Sequence, residues 1–383
     1  MKKIILTTFA NTRFANSIAG ILLFIMVLIT GCTKQEPGLK DIFKDDFMIG
    51  VALNPYQLFG FDTLAQPLIL KHFNSITSEN HMKWESIHPK PGVYDFTVAD
   101  SLVAYGKRHG MYIYGHALCW HSQTPDWVYT DSLGNPLTRD ALLERMKEHI
   151  FTVAGRYKGK VDGWDVVNEA IDDDGQMRKT KYYEIIGEDY VQKAFEFAHE
   201  ADPGAELYYN DYNIEEPVKR AGVIKLLKKL QEQGVKVYGV GLQGHYMLDF
   251  PTLADIDSSI RIYSDMGFKI EITELDVDVL PSVWDKAYAD IAMKAEYKET
   301  MNPYPRGLPD SVQNQLTARY ADLFKIFVKY KDNIERVTFW GLHDGYSWKN
   351  DWPIYGRTNY PLLFDRNYQP KPAYDAVIKT ADR

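Results

Sequence analysis

Eight short apolar runs alternate with stretches of helical periodicity along most of this chain, and that alternation restricts its fold more than any other feature. The runs cover 47–53, 75–77, 112–116, 163–168, 206–210, 237–243, 269–274 and 336–340, and they are rich in the β-branched and aromatic residues that suit a buried, pleated strand. In 217–230, Val223, Leu226, Leu227 and Leu230 recur at helical spacing while Lys225, Lys228 and Lys229 take the other face. Pro217 suits the first helical position, where a missing N–H costs nothing. The same periodicity predicts helices over 100–108, 141–157, 190–199 and 315–330, with Gly110, Gly204 and Gly234 where those helices should stop. Strands alternating with helices, with no central Pro/Ser-rich linker and no internal repeat in 383 residues, predict an α/β fold, a single (β/α)8 TIM barrel over 41–383. The competing doubly wound sheet normally carries a Gly-rich turn after its first strand, and 50–60 has nothing of that kind. One connection, 280–313, is unusually long. It holds a helix-like part over 284–297 and lies, by chain order, on the face where the strands end, either shaping a cleft there or embellishing the surface.

The first residues read as a processing segment and stand outside the fold. Lys2, Lys3 and Arg13 precede an apolar run over 18–29 that ends in Thr30-Gly31-Cys32. That pattern resembles a bacterial lipoprotein signal: residues 1–31 removed, lipid added to the Cys32 thiol, and 32–40 left as a tether that reaches at most about 30 Å. An uncleaved membrane helix is the alternative, but roughly 20 apolar residues are needed to span a bilayer. The expected location is the cell envelope, periplasmic or surface-exposed, with membrane contact through this anchor only. Cys119, the second of two cysteines, sits in an apolar run and is expected as a buried free thiol, so no intrachain disulfide remains.

The chemistry begins at Gly163-Trp164-Asp165-Val166-Val167-Asn168-Glu169-Ala170, an apolar run that ends abruptly on Asn168 and Glu169 before an acidic, Gly-containing loop. Barrels place catalytic groups at such strand ends. A lone glutamate there is ordinarily a solvated loop residue. A second run, Lys269-Ile270-Glu271-Ile272-Thr273-Glu274-Leu275-Asp276, again ends on a glutamate. Two glutamates at two strand ends are the minimum equipment for glycosidic bond cleavage, one protonating the leaving oxygen and one attacking carbon or activating water. A net charge of -8 argues against nucleic acid as a partner, and 26 Tyr with 8 Trp supply flat surfaces for a neutral one. No metal is expected: His116 and His121 are five apart with no glutamate between them, and an EF-hand register over Asp172-Asp173-Asp174-Gly175 would begin on Ala170. A Gly-x-Ser-x-Gly esterase elbow is absent.

Seven stretches, in order and each beside a predicted strand end, together resemble the endo-β-1,4-xylanases of glycoside hydrolase family 10. They are Ser78-Glu79-Asn80-His81-Met82-Lys83-Trp84, Gly115-His116-Ala117-Leu118-Cys119-Trp120-His121-Ser122-Gln123, Trp164 to Ala170, Asn210-Asp211-Tyr212, Gly241-Leu242-Gln243-Gly244-His245, Ile272 to Asp276, and Phe339-Trp340-Gly341-Leu342-His343-Asp344-Gly345-Tyr346-Ser347-Trp348. The resemblance implies a retaining double displacement on xylan or xylo-oligosaccharide without a cofactor, with Glu169 as acid/base and Glu274 as nucleophile. Retention places two carboxyls about 5 to 5.5 Å apart. One must rest protonated and the other ionised.

By the same resemblance, His245 and Asp276 support the nucleophile and Asn168 hydrogen-bonds the sugar 2-hydroxyl. Glu79, Asn80, Lys83, His116 and Gln243 hold sugars on the non-reducing side of the cut, Trp120, Trp340 and Trp348 form aromatic walls, and Tyr212 contacts the leaving-group side. Trp127, Trp164 and Trp284 keep a structural reading. Two rivals stay open: a β-1,4-glucanase of the same barrel clan, which Trp340 and Trp348 exclude if they bar the exocyclic hydroxymethyl, and a non-catalytic glycan-binding surface lipoprotein, which has no use for a supported nucleophile.

Overall fold

The computed structural model describes residues 36–282, 295–296 and 298–381. The apolar run over 18–29, Cys32 with most of its tether, and most of the helix-like stretch over 284–297 lie outside the described residues. No helix among the described residues is long and apolar enough to cross a membrane.

The strands are β1 (Met48–Leu53), β2 (Ser75–Ser78), β3 (Tyr112–Gly115), β4 (Gly163–Asn168), β5 (Glu206–Asp211), β6 (Gly239–Leu242), β7 (Lys269–Asp278) and β8 (Ile334–Phe339). Each pairs in parallel with its successor, and β8 pairs with both β7 and β1, so the sheet closes into a (β/α)8 barrel without a free edge. Parallel neighbours need crossover connections, and helices supply them. Pro217–Glu232 buries Val223, Leu226, Leu227 and Leu230 as its periodicity predicts, and also Lys219. Gly110 ends Thr97–His109 in the left-handed conformation (φ 63°), where a side chain would be strained. Gly204 does not end its helix. Tyr190–Ala201 stops earlier, and the Asp202 carboxylate after it accepts from the Gly204 and Gly159 amides at 3.1 and 3.0 Å.

Two short strands the sequence reading did not anticipate extend the barrel at its mouth. Cys119–Trp120 pairs with the end of β4, and His245–Met247 pairs with the end of β7. Cys119 is buried with a free thiol. The barrel interior is not uniformly apolar. Arg336 and Glu271 form a buried ion pair, with the guanidinium stacked over Tyr112 and Tyr114 at 4.5 and 4.1 Å. The Tyr114 hydroxyl donates to Asp165 at 2.5 Å, carrying the polar core up toward the strand ends. The described end of the long connection is tied to the loop after β8: Thr358 N donates to Asn302 Oδ1 at 2.9 Å and the Tyr360 hydroxyl to the Tyr304 carbonyl at 2.7 Å.

Candidate active site

At the C-terminal mouth of the barrel the strand ends bring Glu79, Asn80, Lys83, His116, Trp120, Gln123, Asn168, Glu169, Gln243, His245, Glu274, Trp340 and Trp348 around one cleft. Every residue singled out for the site lies there except three. Asp276 stands directly behind His245, Tyr212 is buried beside the cleft, and Cys32 lies outside the described residues.

Glu274 extends from β7, a ten-residue strand whose pairing with β8 shifts register between Ile272 and Leu275, across Glu274 itself. Asn210 Nδ2, at the end of β5, donates to Glu274 Oε1 at 2.9 Å and to Asn168 Oδ1 at 2.9 Å. Thr273 Oγ1 fixes that amide by donating to Asn210 Oδ1 at 2.7 Å. The other carboxylate oxygen lies 3.2 Å from His245 Nε2, while His245 Nδ1 lies 3.1 Å from Asp276 Oδ1. The Trp348 indole donates to the second Asp276 oxygen at 2.8 Å. Burial alone would raise the Glu274 pKa, but His116, His245 and Lys83 together outweigh it and hold the carboxyl below its ordinary value. His245 is moved the other way. Burial lowers it, and the two carboxylates beside it carry it above the ordinary imidazole value. His116 is oriented from below, its Nδ1 2.7 Å from Asp165 Oδ2.

Glu169 leaves β4 in the left-handed region, with φ 61°. A side-chain-bearing residue held there costs about 1–3 kcal/mol and persists only where its surroundings over-determine it. Those surroundings are specific. Glu169 N donates to the Asn210 carbonyl at 2.9 Å, and Arg178 Nε donates to the Glu169 carbonyl at 3.1 Å. The amides of Ala170 and Ile171 both donate to the Tyr209 hydroxyl, at 3.1 and 3.2 Å. That hydroxyl donates in turn to Asp211 Oδ2 at 2.5 Å, and Asp211 pairs with the fully buried Lys219 at 2.8 Å. A register shift in the pairing of β4 with β5, between Asp165 and Val167, marks the strand just before this turn.

Glu169 Oε1 accepts from Gln243 Nε2 at 3.0 Å and from Asn168 Nδ2 at 3.2 Å. Its Oε2 is buried and takes no hydrogen bond from these amides. Burial, reinforced by the negative charge of Asp211, raises this carboxyl to about 7 against the opposing pull of Gln243, Arg178 and the Trp120 indole. Two glutamates of one cleft thus differ in protonation near neutrality, and a relay of two amides, Asn168 and Asn210, joins them.

On the side toward β2, Lys83 Nζ donates to Asn80 Oδ1 and Gln123 Oε1, both at 2.8 Å, and stands 4.8 Å above the Trp120 ring. Burial lowers its pKa to about 8, against the pull of Glu274, Glu169 and Glu79, so it remains a cation at neutral pH. Burial raises Glu79 to about 7 despite Lys83. Trp340 packs edge-on to His116 at 5.3 Å, and Trp348 lies 4.8 Å from His245 with Trp352 stacked behind it at 4.7 Å. Trp164 is fully buried, and the Trp127 indole donates to the Pro89 carbonyl at 3.0 Å; neither lines the cleft. Tyr212 does not line it either. Its hydroxyl accepts from Arg178 at 2.8 Å, and Lys219 lies 3.6 Å above its ring.

Several residues of the site went unrecognised in the sequence. Gln123 and Asn210 lie inside quoted stretches but are plain amides with no chemistry of their own to announce them. Asp165 and Lys219 did carry a signal: one is an acid within an apolar strand, and the other is a lysine four residues before Val223 on the apolar stripe of its helix. Unpaired charges do not stay in such positions.

The glycosyl hydrolase family 10 profile matches residues 38–380 of the chain. An endo-1,4-beta-xylanase A from Xylanibacter ruminicola is 46% identical over 355 residues, covering 93% of this chain and 96% of that protein. An endo-1,4-beta-xylanase from Geobacillus stearothermophilus is 43% identical over 345 residues, covering 89% and 98%. Among solved structures, a GH10 endoxylanase retrieved from sugarcane soil metagenome superposes with a TM-score of 0.86 at 48% identity, over 89% of this chain and 99% of that one.

Proposed function

Because the chain belongs to glycosyl hydrolase family 10, we infer that it is a retaining endo-1,4-β-xylanase, hydrolysing internal β-1,4-xylosidic bonds of xylan. The observation that carries the division of labour is the opposite displacement of the two buried carboxyls, Glu169 raised and Glu274 lowered. In the first step the Glu274 carboxylate attacks the anomeric carbon while the bond to the leaving oxygen breaks, and Glu169 gives that oxygen its proton. The product is a glycosyl ester on Glu274. In the second step Glu169, now a carboxylate, takes a proton from water as that water attacks the same carbon and Glu274 departs, so the β configuration returns. His245 and Asp276 keep the nucleophile charged and aimed, and Asn168 presents its amide toward the sugar 2-hydroxyl. Glu79, Asn80, Lys83, His116 and Gln243 hold the sugars preceding the cut, between walls of Trp120, Trp340 and Trp348.

Xylose lacks an exocyclic hydroxymethyl, and on this reading Trp340 and Trp348, braced against the histidines and Trp352, bar that group from the cleft. Reducing-sugar release from xylan, carboxymethylcellulose and mannan side by side tests the reading; release from carboxymethylcellulose equal to that from xylan would replace it with a glucanase.

The N-terminal pattern supports a second element of the proposal: the enzyme is a cell-envelope lipoprotein anchored through Cys32, facing the periplasm or the outer surface. Cys32→Ala abolishes incorporation of labelled palmitate and leaves xylanase activity in lysate intact. Continued labelling of that variant would overturn the anchor.

A further inference from the structure

We propose that the loop joining β1 to the helix Ala65–His72 is a distal xylan-binding platform, built from Tyr56, Phe59 and Phe61, which holds the polysaccharide beyond the sugars gripped in the cleft. Large apolar side chains scattered singly over a surface need no explanation, but a contiguous patch marks a binding surface. Here Tyr56, Phe59, Phe61 and Leu64 are 60, 43, 72 and 61% exposed within nine residues of chain. The rings form one group: Phe61 lies 6.0 Å from Tyr56 and 6.2 Å from Phe59.

They are not exposed because the loop is loose. Asn54 and Gln57 exchange hydrogen bonds at 3.1 and 3.3 Å, Gln66 Nε2 donates to the Gln57 carbonyl at 2.8 Å, and the Tyr368 hydroxyl donates to Asp62 at 2.5 Å. A surface ordered in advance loses little entropy when it binds.

The place of the loop in the barrel selects its occupant. In the closed sheet β1 lies between β2 and β8, and the loops following those two strands carry Glu79 and Asn80 on one side and Trp340 and Trp348 on the other. Leu53, the last residue of β1, accepts the Glu79 amide at 3.2 Å. On the other flank Tyr368, tied to the loop through Asp62, packs 4.2 Å from His343 in the segment between Trp340 and Trp348. The platform therefore continues the wall that the proposed function gives to the sugars preceding the cut.

The ring geometry agrees with that occupant. The planes are inclined by 68° and 58°, which does not suit a flat ribbon but does suit a chain whose successive sugars turn about its axis, as xylan's do. Sugar C–H faces pack on such rings while hydroxyls stay in water.

This inference rests on the xylanase reading, and its test separates the two. The double variant Tyr56→Ala/Phe61→Ala is compared with the wild type on long soluble xylan and on an aryl xylobioside too short to leave the cleft. Two lost stacking contacts lower kcat/KM on xylan about tenfold, leave the aryl xylobioside unchanged, and leave Tm unchanged because the rings are exposed. Phe61→Trp tightens binding to xylan in affinity electrophoresis. Equal kinetics of variant and wild type on xylan, or equal loss on both substrates, would overturn the platform. So would unchanged xylan kinetics with lost binding to phosphatidylglycerol vesicles or an altered oligomeric state, since those assign the patch to a membrane or a second copy. A wild type that cleaves neither substrate would instead sink the xylanase reading.

Discussion

The two sides of the cleft begin from the same residue type in the same circumstance, a buried glutamate at a strand end, and arrive at opposite charge states. Burial raises both carboxyls, so burial cannot distinguish them. What distinguishes them is the sign of the company each keeps. Around Glu274 stand His116, His245 and Lys83; around Glu169 stand neutral amides, the negative Asp211 and Arg178, whose guanidinium is bonded to the Glu169 backbone carbonyl rather than to its carboxyl. The backbone differs in the same sense. Glu274 stays within a ten-residue strand, whereas Glu169 sits in a left-handed turn that Tyr209, Asp211 and Lys219 clamp from behind. Both strands shift register near their glutamate, but Glu274 stays in the strand among groups that lower its pKa, whereas Glu169 sits in a left-handed turn beside a negative one.

Exchanging or erasing this contrast has its largest effect at the glutamates themselves. Glu169→Ala loses about 10²- to 10⁴-fold on xylan, yet forms the glycosyl-enzyme from an activated aryl xylobioside at a near-normal rate, because a phenolate departs without a proton. Azide then restores turnover with retained configuration. Glu274→Ala fails on both substrates, and any azide product is inverted, since azide stands in for the carboxylate. Proton NMR of the azide adducts reads the configuration, and retention from Glu274→Ala would mean that the two roles are exchanged.

The contrast also enters stability. The folded-state pKa of Glu169, about 7, lies above that of a solvated glutamate, so its contribution to stability is full below the unfolded value and fades as pH rises through 7. By pH 8 the ionised form weakens the fold by about 3 kcal/mol. Glu169→Gln should therefore raise Tm at pH 8 more than at pH 4.5, as read by calorimetry. Glu274 has the opposite displacement, and Glu274→Gln should lower Tm at pH 8. The same response from both variants would erase the electrostatic distinction.

Support for the nucleophile comes next in size. A hydrogen bond to a charged group contributes about 1.5–3 kcal/mol, so His245→Ala and Asp276→Asn should each lower kcat by about 10- to 100-fold with a smaller change in xylan affinity. Loss of binding at unchanged turnover per bound substrate would take these residues out of that role.

The smallest effect tests the turn. Asp211 helps to raise Glu169, so Asp211→Asn moves the alkaline limb of the kcat/KM profile to lower pH, below about 7. Tyr209→Phe, which keeps the ring but drops the acceptor of two amides, slows xylan more than the aryl xylobioside. A profile that stays in place in Asp211→Asn would mean that burial alone sets Glu169.

Much of this molecule was legible before folding, and the reason is locality. Strand and helix periodicities are properties of a few neighbouring residues, and they foretold all eight barrel strands to within a residue or two at most ends. The strand-end glutamates, with the motifs around them, lie along the chain in an order that barrel topology converts directly into one ring of side chains. The two mouth strands, Cys119–Trp120 and His245–Met247, were not legible, since each is only two or three residues long and exists because a neighbouring strand offers hydrogen bonds.

The charge states were decided in the same non-local way. Nothing in the residues flanking Glu169 announces a raised pKa, because Asp211 and Gln243 come from β5 and the loop after β6, and Lys219, which pairs with Asp211, from the helix between those strands. Identity and order are written along the chain. Burial, amide relays and the sign of the neighbouring charge depend on distances that only closing the barrel sets.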